Sequence, residues 1–372
     1  MHSIIFPTLF TAVFVLLSFY IFKRFIKKLH LSNKITTSLQ LFLIFNLLGV
    51  VCYMLSRYII NMPNYLIFIS SLSIGIIFLL FLTTIFYDLS QLILKVTPLN
   101  ENRRKFFKKS LDVSSLTLAA TVTTAATYNA KVPVLEEVDV FVKNLPKQYT
   151  IVQLSDVHIG GLIEKDFVIE MVRSVNLLNA DIVVITGDLI DTKLDYIKDA
   201  VNELANFNST FGTYFIPGNH EYFHGVKQIN SYISSIGIKV LENENVYIGE
   251  KNEGFFLAGV YDIIGYRFDY YKPDLKKALE GIVNAPTVLL AHQPRFIEEI
   301  EDNVDLVLSG HTHGGQIFPF NYLVKLAQPY IRGLYQHSNR TQIYVNKGTG
   351  FWGPPMRLGA SAEITKISLK KA

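Results

Sequence analysis

The chain has 372 residues, half of them hydrophobic, with a formal net charge of +4 at pH 7 and a single cysteine. Because Cys52 is the single cysteine, an internal disulfide and a thiolate metal cluster are excluded, and this residue lies in an apolar run. Any metal site must therefore use histidine, carboxylate and amide ligands. The apolar residues are concentrated in roughly the first 130 positions, and the rest has the composition of a water-soluble domain.

The first third of the chain contains three long apolar segments. A bilayer core requires a helix of about 20 mostly apolar residues. Residues 4–22, 37–56 and 65–87 meet that length without an acidic or basic side chain. A buried core helix is the alternative for each segment, but such a helix rarely stays free of charge for so long. We therefore predict three transmembrane helices.

Residues 110–130 are a weaker candidate for a fourth crossing, because they are rich in alanine, threonine and serine. Basic clusters within 23–28 and 103–109 flank the apolar segments. They favour a cytoplasmic position for both loops rather than a nucleic-acid partner, which we do not expect. With three crossings the remaining chain stays in the cytoplasm, and with a fourth it faces outward. The outward orientation is the expectation.

Beyond these helices the sequence alternates short apolar strands with helical stretches. Residues 165–179 carry apolar side chains on one helical face. Such alternation is typical of an α/β fold in which helices cover buried sheets. We predict a membrane region over 1–109, a candidate fourth helix and linker over 110–146, and a folded domain over 147–372. The predicted strands are residues 149–154, 181–186, 213–216, 287–290, 306–308 and 343–345.

Five of these strands run directly into polar clusters. In open α/β sheets, ligands bind beyond the carboxyl ends of the strands, so these clusters are expected to converge on one site. The candidate site residues are Asp156 and His158, then Asp188, then Asn219, His220 and Glu221, then His292, and finally His311 and His313.

Several of these residues suit metal binding. Asp156 and His158 are two positions apart and can face the same side of an extended segment, although such a pair also occurs in ordinary turns. The two oxygens of Asp188 could bridge two ions, whereas Asp191 is interpreted as a cap of the next segment. Two histidines flanked by glycines, as at 310–315, are difficult to explain by packing, because burying unpaired imidazoles is costly.

The cluster after the third strand combines a ligand with acid–base groups. The amide oxygen of Asn219 is a neutral ligand for a divalent ion. His220 is then free for proton transfer, and Glu221 could orient it. A turn rich in glycine and asparagine is the structural alternative at 217–219. His224 is interpreted as a solvated loop residue.

In order and spacing, the five clusters resemble calcineurin-like metallophosphoesterases, in which Asp-x-His, Gly-Asp, Gly-Asn-His, a lone His and Gly-His-x-His follow one another. Within that superfamily the chain is similar to the membrane-anchored branch that includes bacterial YkuE-like phosphoesterases. The similarity covers about residues 147–366, with Glu221 standing where many members have aspartate. It implies a four-layer α/β sandwich with two central mixed β-sheets flanked by helices, following a helical membrane region of three to four transmembrane helices.

The resemblance also implies roles for these residues. A first divalent metal ion would be held by Asp156, His158 and His313. A second would be held by Asn219, His292 and His311, with Asp188 bridging the two. A metal-bridging hydroxide would attack phosphorus, and His220 would protonate the leaving alkoxide. The nitrogen and oxygen ligands suit Mn, Fe or Zn and do not distinguish among them.

The substrate class is expected to be a phosphate ester or pyrophosphate, with a lipid-linked or envelope compound such as a nucleotide-linked lipid A precursor favoured by the membrane anchor. Residues 261–273 and 316–335 are rich in aromatics and would form either an apolar rim near the bilayer or part of the core. Arg267 or Arg332 would contact phosphate. The alternatives are a nucleotide phosphodiesterase with the same metals and a non-catalytic metal-binding scaffold. The scaffold is disfavoured because the seven ligands and His220 are all present.

Overall fold

The computed structural model describes residues 2–58, 62–283, 285–301 and 303–372. It divides into two compact units. The helical unit comprises Met1–Tyr128 and Gly353–Met356, and the α/β unit comprises Asn129–Trp352 and Arg357–Ala372.

The helical unit is built from long helices that match the predicted membrane segments. Within the described residues, three of them are long and apolar enough to cross a membrane, namely Ile5–Lys28, Asn33–Ser56 and Asn64–Val96. The prediction of three such helices is confirmed. The helices are α1 (His2–Arg24), α2 (Asn33–Tyr58), α3 (Asn64–Val96) and α4 (Glu101–Lys131), with a 3-10 turn at Ile26–Lys28.

Helix α4 contains the candidate fourth crossing but is not among the described helices apolar enough to span a bilayer. Its Asp112 is buried, with Oδ1 accepting a hydrogen bond of 2.7 Å from the Tyr87 hydroxyl and Oδ2 one of 2.9 Å from the His30 amide. These contacts account for a carboxylate inside the unit without requiring α4 to cross.

The two basic segments lie at the same end of the helical unit. Arg24 Nε and Lys28 Nζ, at the end of the first span, lie 2.7 Å and 3.2 Å from the carboxylate of Asp88. Asp88 is near the end of α3, shortly before the second basic segment. This contact agrees with the expectation that both basic segments face the same compartment.

The α/β unit contains two six-stranded mixed sheets. The first has the order β1-β12-β2-β3-β4-β5, and the second has the order β10-β11-β9-β8-β7-β6. All six predicted strands are present, and β1 precedes the predicted domain boundary at 147. The strands are β1 (Val134–Val142), β2 (Tyr149–Leu154), β3 (Ile182–Thr186), β4 (Thr213–Ile216), β5 (Lys239–Val240), β6 (Glu244–Ile248), β7 (Phe255–Gly259), β8 (Thr287–Leu290), β9 (Leu306–Ser309), β10 (Gly333–Gln336), β11 (Gln342–Val345) and β12 (Glu363–Lys371).

Parallel pairing dominates the centre of each sheet. In the first sheet, β2, β3, β4 and β5 are successive parallel neighbours, and β12 is antiparallel to β2. In the second, β7, β8, β9 and β11 are parallel, with antiparallel β6 and β10 at the edges. Because parallel neighbours end at the same edge of a sheet, the loops after β2, β3 and β4 lie together, as do those after β8 and β9.

Alternating side chains of each strand enter different cores. Val183 and Ile185 of β3 lie in the core that contains the apolar face of α5, whereas Ile182 and Val184 lie in a core shared with strands of the second sheet. Leu289 of β8 lies in a third core on the outer face of that sheet. The predicted four-layer sandwich, with helices outside two facing sheets, is confirmed.

Helices of the α/β unit cover these outer faces. The predicted helix at 165–179 is α5, which buries Val168, Met171, Val172 and Val175. That spacing of three and four residues places all four on one helical face. The helices of this unit are α5 (Lys165–Asn176), α6 (Lys198–Val201), α7 (Asn219–His224), α8 (Val226–Ser235), α9 (Ile264–Phe268), α10 (Leu275–Ala278) and α11 (Asn321–Ala327).

Candidate metal centre

The five strand-end loops converge as the sequence predicted. Three groups of side chains each place one ligand atom per residue within 4.8 Å of the others, and two of them consist of predicted ligands, the third being His158, Asp191 and His220. Asn219 joins the second group, since its Oδ1 lies 3.2 Å from His292 Nε2. The first group is Asp156, His158 and His313, and the second is Asp188, His292 and His311.

In the first group, electron-pair donors face one another in a buried space. His158 Nε2 lies 3.1 Å from His313 Nε2, which lies 3.4 Å from Asp156 Oδ1. That oxygen is buried and has no hydrogen-bond partner among the described residues. Burial lowers the pKa of His158 to about 3, so the ring is neutral near pH 7. An unpaired buried oxygen between neutral imidazoles fits a divalent cation.

In the second group, a backbone carbonyl group holds the His292 ring on the side away from the other ligands. His292 Nδ1 lies 2.7 Å from the Thr186 carbonyl oxygen, so this nitrogen donates its proton there. Its Nε2 faces Asn219 Oδ1 and Asp188 Oδ2, each at 3.2 Å. Such a carbonyl partner commonly orients a metal-binding histidine. Burial also lowers the pKa of His311 to about 4.

Asp188 links the groups through its neighbours. Its Oδ1 accepts a 2.8 Å hydrogen bond from the His220 amide, and its Oδ2 faces His292. The His220 ring lies against His158 of the first group, with 4.6 Å between ring centroids. Burial alone would raise the pKa of Asp188, but the nearby His292 and His220 hold it well below its usual range. A buried, ionised carboxylate at this point suits the predicted bridging role, which stays a prediction.

The backbone at these ligands adopts a demanding conformation. Five candidate ligands have φ angles between 49° and 68°, in the left-handed region that most residues avoid. Close contacts also require glycine nearby, since a Cβ atom at Gly218 would collide with Asp188 and one at Gly310 with Asp156. Strain of this kind concentrates at functional sites. The five residues are Asp156, His158, Asp188, His311 and His313.

The partner of His220 differs from the expectation. His220 Nδ1 lies 2.7 Å from Asp191 Oδ1, so Asp191, and not Glu221, orients the ring. Burial would lower the pKa of His220, but Asp188 and the hydrogen-bonded Asp191 raise it to about 9. Asp191 was predicted to cap the next segment, although its position three residues after Asp188 was the available signal. His224, interpreted as solvated, lies 3.7 Å from the same carboxylate oxygen.

Glu221 has a structural role in place of the predicted orienting role. Its buried carboxylate accepts hydrogen bonds from the amides of Asp188 (3.0 Å), Ile190 (2.9 Å) and Gly218 (2.7 Å). These bonds join the loop after β3 to the loop after β4. The carboxylate faces the backbone because Glu221 is the third residue of α7 and reaches back to the amide of the N-cap residue Gly218.

Arg357, which no sequence pattern predicted, lies behind the first group. Its buried guanidinium donates to carbonyl oxygens that include those of Lys347 (2.7 Å) and Ala360 (3.2 Å). Its Nη2 lies 3.1 Å from His313 Nδ1. Burial lowers the pKa of Arg357 to about 10, so it remains charged near pH 7. The sequence contains no motif that predicts this contact.

The two arginines predicted to contact phosphate are both exposed. Arg267 is exposed on α9, and exposed Arg332 donates a hydrogen bond to the Gly359 carbonyl oxygen. Their substrate-binding role, like the ligand roles of the seven residues, stays a prediction.

Comparison with known proteins identifies the family. The calcineurin-like phosphoesterase family matches residues 149–315. An uncharacterized metallophosphoesterase of Helicobacter pylori is 41% identical over 313 residues, which make up 83% of this chain and 83% of that protein. The chain belongs to the calcineurin-like metallophosphoesterase family. A Campylobacter jejuni metallophosphoesterase is 35% identical over 100% of this chain and 99% of its own length.

As a metallophosphoesterase, the chain is a metal-dependent hydrolase of phosphate esters. The family uses divalent metals, and the histidine and aspartate groups described above fit such ions. A Bos taurus transmembrane protein with a metallophosphoesterase domain is 39% identical over 74% of this chain and 66% of its own length. The three candidate spans indicate membrane anchoring of this metallophosphoesterase as well.

Proposed function

We propose that this metallophosphoesterase binds two divalent metal ions and hydrolyses a phosphate ester or pyrophosphate bond of a membrane-associated substrate. The convergence of seven nitrogen and oxygen donors in two groups, with Asp188 beside both, carries the proposal. Two such ions would supply an activated water and positive charge next to the phosphoryl oxygens. The donor set suits Mn, Fe or Zn equally.

Charge supports an anionic substrate. Among the seven candidate ligands, Asp156 and Asp188 are carboxylates, and the other five bind a cation as neutral donors. Two divalent ions against two carboxylates leave the centre positive, which attracts a phosphate group. Arg357 adds a further buried positive charge behind His313.

His220 is the proposed general acid. Asp191 accepts from Nδ1 and thereby fixes the ring, and Nε2 lies 3.8 Å from Asp188 Oδ2. Nε2 is then the atom that gives its proton to the departing oxygen. The hydrogen bond from Nδ1 to the Asp191 carboxylate stabilises the protonated ring.

A lipid-linked substrate is supported by an exposed apolar segment next to the candidate ligands. Helix α11 buries none of its residues, and Leu326 in it is 81% exposed. Phe318 and Phe320 precede this helix and are also exposed, so this part of 316–335 is not core. Exposed apolar surface of this kind commonly contacts membranes or amphiphilic ligands. The lipid bilayer and a lipid-linked phosphate compound are therefore the proposed partners.

The orientation we propose differs from the outward expectation. That expectation required α4 to cross, but α4 is not among the described helices apolar enough to do so. With three crossings and cytoplasmic basic segments, the loop-charge rule assigns the α/β unit to the cytoplasmic side.

Hydrolysis by the purified full-length chain tests the proposal. In lipid nanodiscs with Mn, Fe or Zn supplied, it should hydrolyse p-nitrophenyl phosphate or bis(p-nitrophenyl) phosphate. Chelation should abolish turnover, and Asp188→Asn should reduce it to background. Asp195→Asn is the matched control, because Asp195 is exposed and pairs with Lys198. Unchanged turnover in the Asp188 variant would contradict the two-metal proposal.

A further inference from the structure

Two large apolar rings border His220 at the entrance to the metal centre. The rings of Trp352 and Phe223 lie 5.8 Å and 6.0 Å from the His220 ring, between centroids, at interplanar angles of 75° and 87°. Trp352 is 43% exposed and Phe223 is 56% exposed, whereas the His220 side chain is 13% exposed. The solvent-facing surroundings of the proposed acid are therefore largely aromatic.

The exposed position of Trp352 is fixed by its backbone. The side-chain amide of Gln316 donates to the Trp352 carbonyl oxygen at 2.8 Å and accepts from the Trp352 amide at 3.2 Å. Gln316 comes three residues after the candidate ligand His313. An indole that stays partly in water on a backbone held in this way is poorly explained by core packing, and such side chains commonly serve as ligand contacts.

Phe223 is also part of a larger aromatic cluster around the buried Tyr222. Its ring lies 5.7 Å from that of Phe268, which in turn stacks on Tyr222 at 6.0 Å. Tyr270 stacks on Tyr222 at 5.7 Å and is exposed. An apolar path therefore leads from His220 toward part of the aromatic-rich segment 261–273.

We propose that Trp352 and Phe223 form a leaving-group subsite that accepts an apolar body, an aromatic ring or an acyl chain, within a few bonds of the scissile oxygen. This inference rests on the proposed function, in which His220 donates its proton to that oxygen. Groups beside the general acid are placed on the leaving-group side of the substrate, whereas the candidate metal ligands would face the phosphoryl group. The subsite would therefore select the leaving group without altering attack on phosphorus.

Alanine variants and a matched ester series test the subsite. In lipid nanodiscs with metal supplied, Trp352→Ala and Phe223→Ala should each lower kcat/KM for hexyl or benzyl phosphate by about 10-fold or more. Methyl phosphate, which has no apolar body, should change by less than about 2-fold. The same comparison applies to the matching diesters if the wild type prefers them. Comparing variant with wild type on each substrate removes differences in intrinsic reactivity. Trp352→Phe should restore much of the lost discrimination.

Phe141→Ala is the control variant, because Phe141 is an exposed phenylalanine on β1. It should leave all three substrates unaffected. An effect confined to benzyl phosphate would assign an aromatic leaving group, and one confined to hexyl phosphate an acyl chain. Equal losses on all three substrates in the Trp352 and Phe223 variants would overturn the subsite.

A binding measurement separates the subsite from the proposed activity. The chain contains one tryptophan, so its fluorescence reports on Trp352 directly. Hexylphosphonate and benzylphosphonate should change the emission at concentrations where methylphosphonate does not, and Phe223→Ala should weaken that response. If the wild type hydrolysed none of the esters but kept this response, the proposed function would fail and the subsite would stand. An emission unaffected by all three phosphonates would reject the subsite.

Discussion

Asp191 accepts a 2.7 Å hydrogen bond from His220 Nδ1 and fixes the ring, which lies between His158 of the metal centre and the partly exposed Trp352. A histidine held in this way keeps one tautomer and one orientation, so its Nε2 points consistently in one direction. The pair therefore determines where a proton can be delivered.

Asp191→Asn should lower kcat for alkyl phosphates by about 100-fold, because proton transfer to a poor leaving group is impaired. The loss should be much smaller for p-nitrophenyl phosphate, whose leaving group departs without a proton. Steady-state kinetics on both substrates measure the difference. Asp195→Asn, an exposed change a few residues away, is the control. Equal losses on the two substrates would contradict a role in orienting the acid.

Glu221→Ala should act mainly by destabilising the folded protein and only indirectly on the general acid His220. The change leaves three buried amides without an acceptor, at a cost of roughly 1–3 kcal/mol for each. We expect a clear fall in the denaturant midpoint of the metal-free protein, and a smaller one for Glu221→Gln, which keeps one acceptor oxygen. A metal-free midpoint equal to that of the wild type would exclude the structural role.

Arg357→Met should reduce metal content selectively. Without the guanidinium, His313 and several buried carbonyl groups lose their partner. The ligand group that contains His313 should therefore lose its order, whereas the second group should keep it. Metal analysis of the purified variant should give about one ion per chain where the wild type gives two. Arg340→Met is the matched control, because Arg340 pairs with Asp305 at 2.9 Å. Retention of both ions in the Arg357 variant would contradict this role.

Labelling in intact cells tests the cytoplasmic orientation. A cysteine at exposed Tyr196, in a chain whose Cys52 is replaced by serine, should resist a membrane-impermeant maleimide until the cells are ruptured. A cysteine in place of exposed Asn64, at the start of α3, is the control and should be labelled from outside. Labelling of the Tyr196 position in intact cells would contradict the cytoplasmic orientation and support an outward-facing α/β unit with a fourth crossing.

The sequence predicted six of the twelve described strands, and it predicted the polar clusters that follow five of them, because both signals are local. A short apolar run identifies a strand such as β3, and Asp188 follows two residues after the end of that strand. Residues that act through tertiary contacts were predicted less well. Arg357 reaches His313 across 44 positions of the chain, and no spacing pattern indicates that contact.

Glu221 shows a different limit of sequence analysis. Its place beside His220 suggested that it orients the ring, but the start of α7 turns its carboxylate toward three amides. Asp191 occupies the position beside His220 Nδ1 instead. Side-chain direction at a helix start depends on φ and ψ angles, which adjacency in the sequence does not specify.

The candidate ligands come from both sheets of the sandwich. Asp188 follows β3 of the first sheet, whereas His292 follows β8 of the second, and their side chains lie 3.2 Å apart. A bound ion would therefore link two sheets that are otherwise joined by their shared apolar core. Trimming a side chain in that core, such as Val184 or Leu290, would shift the layers and weaken metal affinity without touching a ligand. In this architecture, the free energy of packing the two sheets and the free energy of metal binding at their edge are coupled.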